Sequence, residues 1–383
     1  MNRDLMLTAI SLFAWGVGEG MFMFFQPIYL EQLGADPLRI GAVLGGYGAA
    51  TTVALIPAGY LADRFGRRQL MWAAWLLGVI AAVIMALARS LPVFVTGLLV
   101  YGLTFFVMSP LNSYVTAARG KWSVGAAILL SSAAINLGMV VGPWIGGTIG
   151  ERLGIQRIFY FSALVFVVST LVIFLIRPQP VEVRPALETR LAFLANPDYL
   201  AYLGVVFLAI FATFLSQPLS QNYLSNQRGL SLAQIGRLVS LTGLGVAAFS
   251  LTLGRVNERL GFLLAQLAVA GFAVLLWQGS GPLWFALGYF LLGGFKTTRS
   301  LAVAQTRSLV HAANMGLAYA ITDTVASSAI ILAPLLAGYL YSRAPAQVYL
   351  ISAILILVSL FVSYRFSPRK PVSIGRPLPV VED

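Results

Sequence analysis

The chain has 383 residues, of which 59% are hydrophobic and only 10% are charged. A soluble domain carries roughly a quarter charged residues, so this composition excludes a soluble fold and predicts an integral membrane protein. The formal net charge of +12 would indicate nucleic-acid binding in a soluble protein. Here the basic residues lie in short clusters between apolar runs, so membrane topology explains them and no nucleic-acid partner is predicted.

The side-chain inventory excludes several further classes of protein. The chain has no cysteine and a single histidine, His311, which rules out disulfide scaffolds, thiolate metal sites and histidine relays. Its one Gly-Lys pair, Gly120 and Lys121, lacks the loop glycine that precedes the lysine in nucleotide-binding motifs. The sequence therefore predicts neither an enzyme nor an ATP-driven pump, and no cofactor or metal.

Twelve apolar runs follow one another along the chain, and we predict them as membrane-spanning helices, named spans 1 to 12. Spans 1 to 6 cover residues 5–30, 40–62, 69–88, 92–117, 123–149 and 156–176. Spans 7 to 12 cover residues 199–224, 235–254, 262–279, 283–305, 314–341 and 345–365. The predicted fold is therefore all-α and integral to the membrane, with short loops.

The domain organisation follows from a proline-rich, charged segment near the middle of the chain. We predict an N-terminal six-helix bundle, a cytoplasmic linker, a C-terminal six-helix bundle and a cytoplasmic tail, over residues 1–176, 177–197, 198–366 and 367–383. The first apolar run has no cleavage site after it, so it is read as a retained helix.

Basic residues predict the orientation of these helices. Of the 25 Lys and Arg residues, 16 lie on the side that carries both termini and 7 on the opposite side. Because basic loops stay in the cytoplasm, both termini are expected there, in a plasma or inner membrane.

The two halves of the chain repeat one another. One set of residues recurs 195 positions later: Gly41, Gly59, Asp63, Arg64 and Gly66 become Gly236, Gly254, Glu258, Arg259 and Gly261. A second set recurs 191 positions later: Gln26, Pro27, Pro143 and Gly147 become Gln217, Pro218, Pro334 and Gly338. Six helices per copy preserve orientation, which predicts parallel repeats around an axis along the membrane normal, with a cavity between them.

The segment from Gly59 to Arg68, between spans 2 and 3, resembles the signature of the major facilitator superfamily. A degenerate copy, 254–261, lies between spans 8 and 9. The resemblance implies two pseudo-symmetric six-helix bundles, alternating access, a small-molecule substrate within the lipid bilayer, and a monomer. It implies a gating role for Gly59, Asp63, Arg64, Gly66, Arg67, Arg68, Gly254, Glu258, Arg259 and Gly261. In this family the residue at Asp63 is thought to latch the cytoplasmic side when the cavity opens outward. The alternative is a cluster that only anchors topology.

Span 5 resembles the second half of a motif of proton-driven exporters, in the residues Gly138, Gly142, Pro143, Gly146 and Gly147. Small residues at this spacing permit close approach of helix backbones. The upstream glycine of that motif falls at Leu129, so the match is partial, and it favours export over uptake. Span 4 carries no arginine between residues 98 and 110, so a proton relay through such an arginine is unsupported.

Four ionisable side chains fall inside predicted spans: Glu19, Lys296, Arg299 and Asp323. Each costs about 2.5 to 3.5 kcal/mol to insert, so each should face protein or a wet cavity. Glu19 has no obvious partner in its own half, and we predict that it couples protons or senses substrate; a hydrogen-bonded structural carboxyl is the alternative. Lys296 or Arg299 could pair with Asp323, itself a second proton-coupling candidate, or could bind substrate.

The resemblance also implies that spans 1, 4, 7 and 10 line the cavity. Polar candidates for substrate binding there are Gln26, Asn112, Tyr114, Gln217, Gln221, Asn222 and Thr297, joined by Asn136 on span 5. Hydrogen bonds between helices are the alternative role for each. An adaptable apolar surface is predicted from Phe22, Met23, Phe24, Phe25, Phe105, Phe106 and Met108.

These features together predict a secondary transporter that exports a small amphipathic or drug-like compound in exchange for protons. The alternatives are a proton symporter or facilitator for a sugar or an organic anion, with Lys296 and Arg299 holding the negative group, and a lipid flippase.

Overall fold

A computed structural model describes residues 2–56, 61, 64–179, 196–310 and 314–368. Every regular element within these ranges is helical, which confirms the predicted all-α membrane fold. Gly59 and Asp63 of the gating motif, His311, most of the predicted linker and most of the predicted tail lie outside the described residues.

The helices of the first half follow the predicted order. Span 1 consists of Arg3–Met23 and Gln26–Gln32, span 2 of Pro37–Leu55 and span 3 of Arg67–Leu87. Span 4 consists of Leu91–Leu103, a 3₁₀ turn at Thr104–Val107, and Met108–Ala117. Spans 5 and 6 are the helices Val124–Leu153 and Ile155–Ile173.

The second half repeats this pattern. Span 7 consists of Pro197–Leu215 and Ser220–Arg228, and spans 8 and 9 are Leu232–Leu253 and Glu258–Gln278. Span 10 consists of Pro282–Leu292 and Gly294–Gln305, and a 3₁₀ turn, Thr306–Ser308, follows it. Spans 11 and 12 are Met315–Arg343 and Gln347–Phe366. Eleven spans of the described chain are long and apolar enough to cross a membrane, and span 10 is not among them.

Within the residues that the structure describes, spans 1, 4, 7 and 10 are each interrupted. Pro27 and Pro218 explain two of these breaks, because a proline has no N–H to donate to the carbonyl four residues earlier. Span 1 ends its first helix at Met23 and span 7 ends its first helix at Leu215, each just before its proline. Irregular backbone at membrane depth is tolerated where it lies inside protein or lines a cavity. The breaks therefore fall in the four spans that the resemblance assigned to the cavity.

Spans 1 and 5 pack backbone to backbone inside the first half. Gly138, Gly142 and Gly146 recur every fourth residue on one face of span 5. A Cβ atom on Gly138 would overlap the backbone at Phe13, one on Gly142 would lie 2.5 Å from the carbonyl oxygen of Val17, and Gly146 is equally close to Met21. These glycines are therefore required by contact with span 1, as the spacing predicted.

The two halves meet through two related contacts. A Cβ atom on Gly41 of span 2 would overlap the carbonyl oxygen of Pro334 of span 11, and one on Gly236 of span 8 would overlap that of Pro143 of span 5. The second contact is the repeat copy of the first. The repeated residues Gly41, Gly236, Pro143 and Pro334 thus lie where the halves touch.

These contacts are confined to one side of the molecule. We call the end of the bundle where span 1 begins and span 12 ends the terminal face, and the opposite end the distal face. Contacts between spans 2 and 11 run from Gly41 to Gly48, in the distal part of span 2. Near the terminal face, Gly125 of span 5 and Gly316 of span 11 have open space around them, with no atom within 4 Å of an added Cβ. Among the described residues, the hydrogen bonds and glycine contacts that join the halves lie toward the distal face or, as for Lys296 and Asn136, midway along the spans, and none lies at the terminal face.

Candidate substrate and coupling site

Glu19 lies in span 1 at the wall of a pocket within the first half. The residue is 8% exposed. The pocket has about 380 Å³ of unfilled space, part of it open to solvent, and is lined by residues of spans 1, 3, 4 and 5: Leu12, Trp15, Glu19, Ala74, Trp75, Thr104, Phe105, Val107, Met108, Leu111 and Ile135. Two residues of the predicted apolar surface, Phe105 and Met108, belong to this lining. Glu19 is the one ionisable group in it.

Tyr101 of span 4 holds the region around Glu19 in place, and the sequence analysis did not identify it. Its side chain is fully buried and stacks on Trp15, with ring centroids 6.1 Å apart. The indole Nε1–H of Trp15 donates to the Tyr101 hydroxyl at 3.2 Å, and the same hydroxyl interacts electrostatically with the Glu19 carboxyl. A tyrosine within an apolar run was the available signal, because a buried Tyr hydroxyl requires a partner.

Lys296 of span 10 crosses from the second half to the first. Its Nζ donates to Oδ1 of Asn136 on span 5 at 3.0 Å, and the Asn136 amide donates in turn to the carbonyl oxygen of Ser132 at 2.7 Å. Its charge also acts on Glu19. Three predicted residues, Glu19, Asn136 and Lys296, are thus brought together from different halves.

Arg299 of span 10 pairs instead with Asp323 of span 11. Nη2 and Nε of Arg299 lie 2.8 and 2.9 Å from Oδ1 of Asp323, and Nη2 also donates to the Ser327 hydroxyl at 3.0 Å. The two charged side chains are 34% and 46% exposed. The sequence left open whether Lys296 or Arg299 pairs with Asp323. Arg299 forms this pair, and Lys296 contacts the first half instead.

Three polar candidates present buried atoms without a hydrogen-bond partner among the described residues: Oε1 of Gln26, Oδ1 of Asn222 and Oγ1 of Thr297. The Gln26 amide donates to the sulfur of Met23 at 3.0 Å. Span 7 contributes Gln217, whose amide donates to the carbonyl of Thr213 at 2.8 Å.

Other candidates contact protein rather than the pocket. Tyr114 is fully buried in the first half and donates to the carbonyl oxygen of Arg177 at 2.6 Å. Asn222 contacts the first half near the distal face, where its amide donates to the carbonyl of Pro27 at 3.1 Å. Gln221 is buried on span 7, whereas Asn112 is exposed on span 4.

Of the remaining aromatic residues predicted for the adaptable surface, Phe22 and Phe25 are fully buried in the hydrophobic core. Phe22 packs edge-on against Tyr101, with ring centroids 5.1 Å apart. Phe24 and Phe106 are partly buried against the same core. These four side chains therefore pack within the bundle and leave the pocket to Phe105 and Met108.

The described part of the gating motif lies at the terminal face. Gly66 adopts a positive φ of 83° just before span 3 begins at Arg67. The Arg68 guanidinium lies 4.4 Å from the ring centroid of Trp72. In the second copy, Arg259 donates to the carbonyl of Tyr364 and lies 5.0 Å from its ring centroid. These arginines anchor the ends of their helices by cation–π contacts.

Two repeated sets of helices with matching interruptions in spans 1, 4, 7 and 10 are typical of a secondary transporter of the alternating two-bundle type. The family model of the Major Facilitator Superfamily matches residues 8–216 and 202–382. The chain belongs to this superfamily, as the motif between spans 2 and 3 indicated, and the recognition made from sequence is confirmed.

Similar proteins include the multidrug resistance protein MdtG of Yersinia enterocolitica, which is 26% identical over 97% of this chain and 94% of that protein. An uncharacterised MFS-type transporter of Methanocaldococcus jannaschii is 23% identical over 68% of this chain and 70% of its own length. Among solved structures, the nucleoside transporter NupG covers 96% of this chain and 100% of its own with a TM-score of 0.86 at 15% identity. A bacterial homolog of the human lysosomal transporter Spinster, inward-facing and occupied, covers 95% of this chain and 96% of its own with a TM-score of 0.75 at 12% identity.

Proposed function

We propose that the protein exports a small amphipathic or drug-like compound in exchange for protons, by alternating access of a central cavity. The observation that carries this proposal is the position of Glu19. It is a buried carboxyl at the wall of an aromatic pocket, and the charge of Lys296 acts on it from the opposite half.

The pocket supports an amphipathic substrate. Trp15, Trp75 and Phe105 provide large apolar faces, and Glu19 provides one charge. A cavity of this kind suits a compound with an apolar body and a cationic or hydrogen-bonding group, because aromatic faces attract cations and a carboxylate pairs with them. The likeness to a multidrug resistance protein over nearly the whole chain supports the same substrate class.

The charges across the cavity support proton coupling. Ionised Glu19 attracts Lys296, and a proton on Glu19 removes that attraction between the halves. Protonation and the relative position of the halves are then linked, because a group bound differently in two conformations shifts the equilibrium between them. Asp323 is already paired with Arg299, so Glu19 is the stronger candidate for this role.

The basic clusters support an orientation with the terminal face in the cytoplasm of a cell with a plasma or inner membrane. The conformation described above would then be open to the cytoplasm, from which an exporter takes its substrate. A single chain supplies both halves of the cavity, which supports action as a monomer.

Proton flux in proteoliposomes tests this function. We expect drug-like cations to trigger proton movement against the direction of the substrate in the wild type, and Glu19→Gln to lower that flux at least about tenfold because no proton can bind there. Asp36→Asn is the matched control, since Asp36 pairs only with Arg39 on its own helix in the described structure. Full coupled flux in Glu19→Gln would refute the coupling role.

A proton symporter or facilitator for an organic anion is the second candidate. The hydrogen bond of Lys296 goes to the neutral amide of Asn136, which leaves its positive charge available for an anionic group. Proton and substrate moving in the same direction, with loss of transport in Lys296→Ala, would select this function. Substrate movement without proton flux would indicate a facilitator.

A further inference from the structure

Two carboxylates of the first half reach across the distal face and bind the second half. One is Glu31, at the end of span 1. Its Oε2 accepts from the Asn222 amide at 2.5 Å, and its Oε1 accepts from the Asn226 amide at 2.8 Å. Asn222 uses its other hydrogen on the carbonyl of Pro27, so spans 1 and 7 are joined by three hydrogen bonds.

The second carboxylate is Glu151, in the last turn of span 5. Its Oε2 accepts from the Ser231 hydroxyl at 2.6 Å and from the backbone N–H of Ala233 at 2.9 Å. Ser231 caps span 8, so Glu151 satisfies free N–H and O–H groups at the positive end of that helix. The contact joins the first half to the second at a different pair of spans.

The internal repeat makes the Glu31 contact informative. Asn222 lies 191 positions after Glu31, the same displacement that relates Pro27 to Pro218. Equivalent positions therefore face each other across the repeat axis, and one is a carboxylate while the other is an amide. Two glutamates here would repel each other, whereas Glu and Asn form a charge-assisted hydrogen bond. The two copies have diverged into a complementary pair.

Other contacts between the halves at this face are of a different kind. Spans 2 and 11 and spans 5 and 8 meet there through glycine backbones, such as Gly41 against Pro334. Packing of this type fits the closed arrangement but carries no charge. Both ion pairs found in the described ranges, Arg39 with Asp36 and Arg299 with Asp323, stay within one half. Glu31 and Glu151 thus supply charged bonds that must break when the distal face opens.

We propose that Glu31 and Glu151 form a distal latch, which stabilises the conformation that is closed at the distal face and open at the terminal face. The proposal rests on the alternating access that forms part of the proposed function, but on neither the substrate nor the coupling ion. The latch and the gating motif at the terminal face would then hold opposite ends of the molecule in opposite conformations.

Hydrogen–deuterium exchange of the protein in lipid nanodiscs, without substrate, measures the latch directly. The readout is the distal end of spans 2 and 11, at residues 37–41 and 334–338, because the described hydrogen bonds of both carboxylates go to other segments. We expect Glu31→Ala and Glu151→Ala each to raise exchange there roughly 3- to 10-fold, the effect of losing one or two hydrogen bonds from the closed state. The double variant, Glu31→Ala with Glu151→Ala, should raise exchange more than either single variant.

Asp36→Asn is again the matched control, because it removes a carboxylate from the same face without touching the other half. Glu31→Gln is the conservative variant, because it keeps the shape of the side chain but places an amide N–H₂ group against the Asn amides. We expect a smaller rise in exchange at the same residues than in Glu31→Ala. The effects of Glu31→Ala and Asn226→Ala should be less than additive in the double variant, since each substitution removes the shared bond between Glu31 and Asn226.

Unchanged exchange at spans 2 and 11 in both single variants, or a rise confined to the substituted spans, would overturn the latch. The same holds if Asp36→Asn gives an equal rise. Failure of proton-coupled export would leave these exchange results unaffected, because the measurement contains no substrate and no proton gradient. The two proposals therefore fail separately.

Discussion

Tyr101 connects the pocket wall to the carboxyl on which the proposed function depends. Its hydroxyl accepts from Trp15 and interacts electrostatically with Glu19, and the side chain is fully buried. A buried hydroxyl with two partners fixes both of them, because neither can find water instead. At the scale of single residues, the orientation of Glu19 therefore depends on a residue of another span.

Removal of this hydroxyl leaves two buried groups unsatisfied. We expect Tyr101→Phe to destabilise the protein by about 1 to 3 kcal/mol and to change the pH dependence of transport. Thermal unfolding in detergent measures the first effect and proton flux the second. Tyr364→Phe is the control, since its side chain is 61% exposed and only its carbonyl accepts a described hydrogen bond. Equal stability of the two variants would show that Tyr101 is not a positioning residue.

At the scale of helices, the glycine face of span 5 sets the distance between spans 5 and 1. This distance matters for the site because Glu19 lies on span 1 and Asn136 on span 5, one turn from the glycine contacts. Lys296 of the opposite half interacts with both residues: its charge acts on Glu19 and its Nζ donates to Asn136. A change in the helix separation would move them relative to each other.

Gly142→Ala is expected to cost about 1 to 3 kcal/mol, because its Cβ would lie 2.5 Å from the Val17 carbonyl oxygen and one of the backbones must shift. The loss should appear as a lower unfolding temperature and lower transport. Gly204→Ala on span 7 is the control: no atom lies within 4 Å of its added Cβ, so the better helix propensity of alanine should leave stability equal or higher. A harmless Gly142→Ala would contradict the packing described here.

At the scale of the whole molecule, closure at one face and opening at the other follow from which parts of the repeated spans touch. The distal parts of spans 2, 5, 8 and 11 carry the repeated glycines and prolines, and their backbones meet there. The terminal ends of spans 5 and 11 have no such neighbours at Gly125 and Gly316. Among the described residues, the halves are therefore joined at the distal face and not at the terminal face.

Because the chain has no cysteine, single introduced thiols report on both faces. We expect Gly125→Cys to react with a membrane-impermeant maleimide from the cytoplasmic side only, in inside-out vesicles. Ser342→Cys, at the exposed distal end of span 11, should react only from the outside of intact cells. The reverse pattern would show that the proposed orientation is wrong.

The sequence by itself determined the class of protein, the number and order of the spans, the repeat and the family. These properties depend on hydropathy and on local motifs, which every residue carries with it. It also identified Glu19, Lys296, Arg299 and Asp323 as the ionisable groups at membrane depth, because the cost of placing charge there makes each one conspicuous.

Only the tertiary structure decided which of these residues meet. Arg299 and not Lys296 pairs with Asp323, Tyr101 joins Glu19, and Tyr114 turns away from the pocket into its own half. Glu31 and Glu151 read as ordinary loop-end acids until the halves are assembled. Helical periodicity fixes the face on which a side chain lies, but the rotation of each helix against its neighbours is set by backbone contacts between residues far apart in the chain.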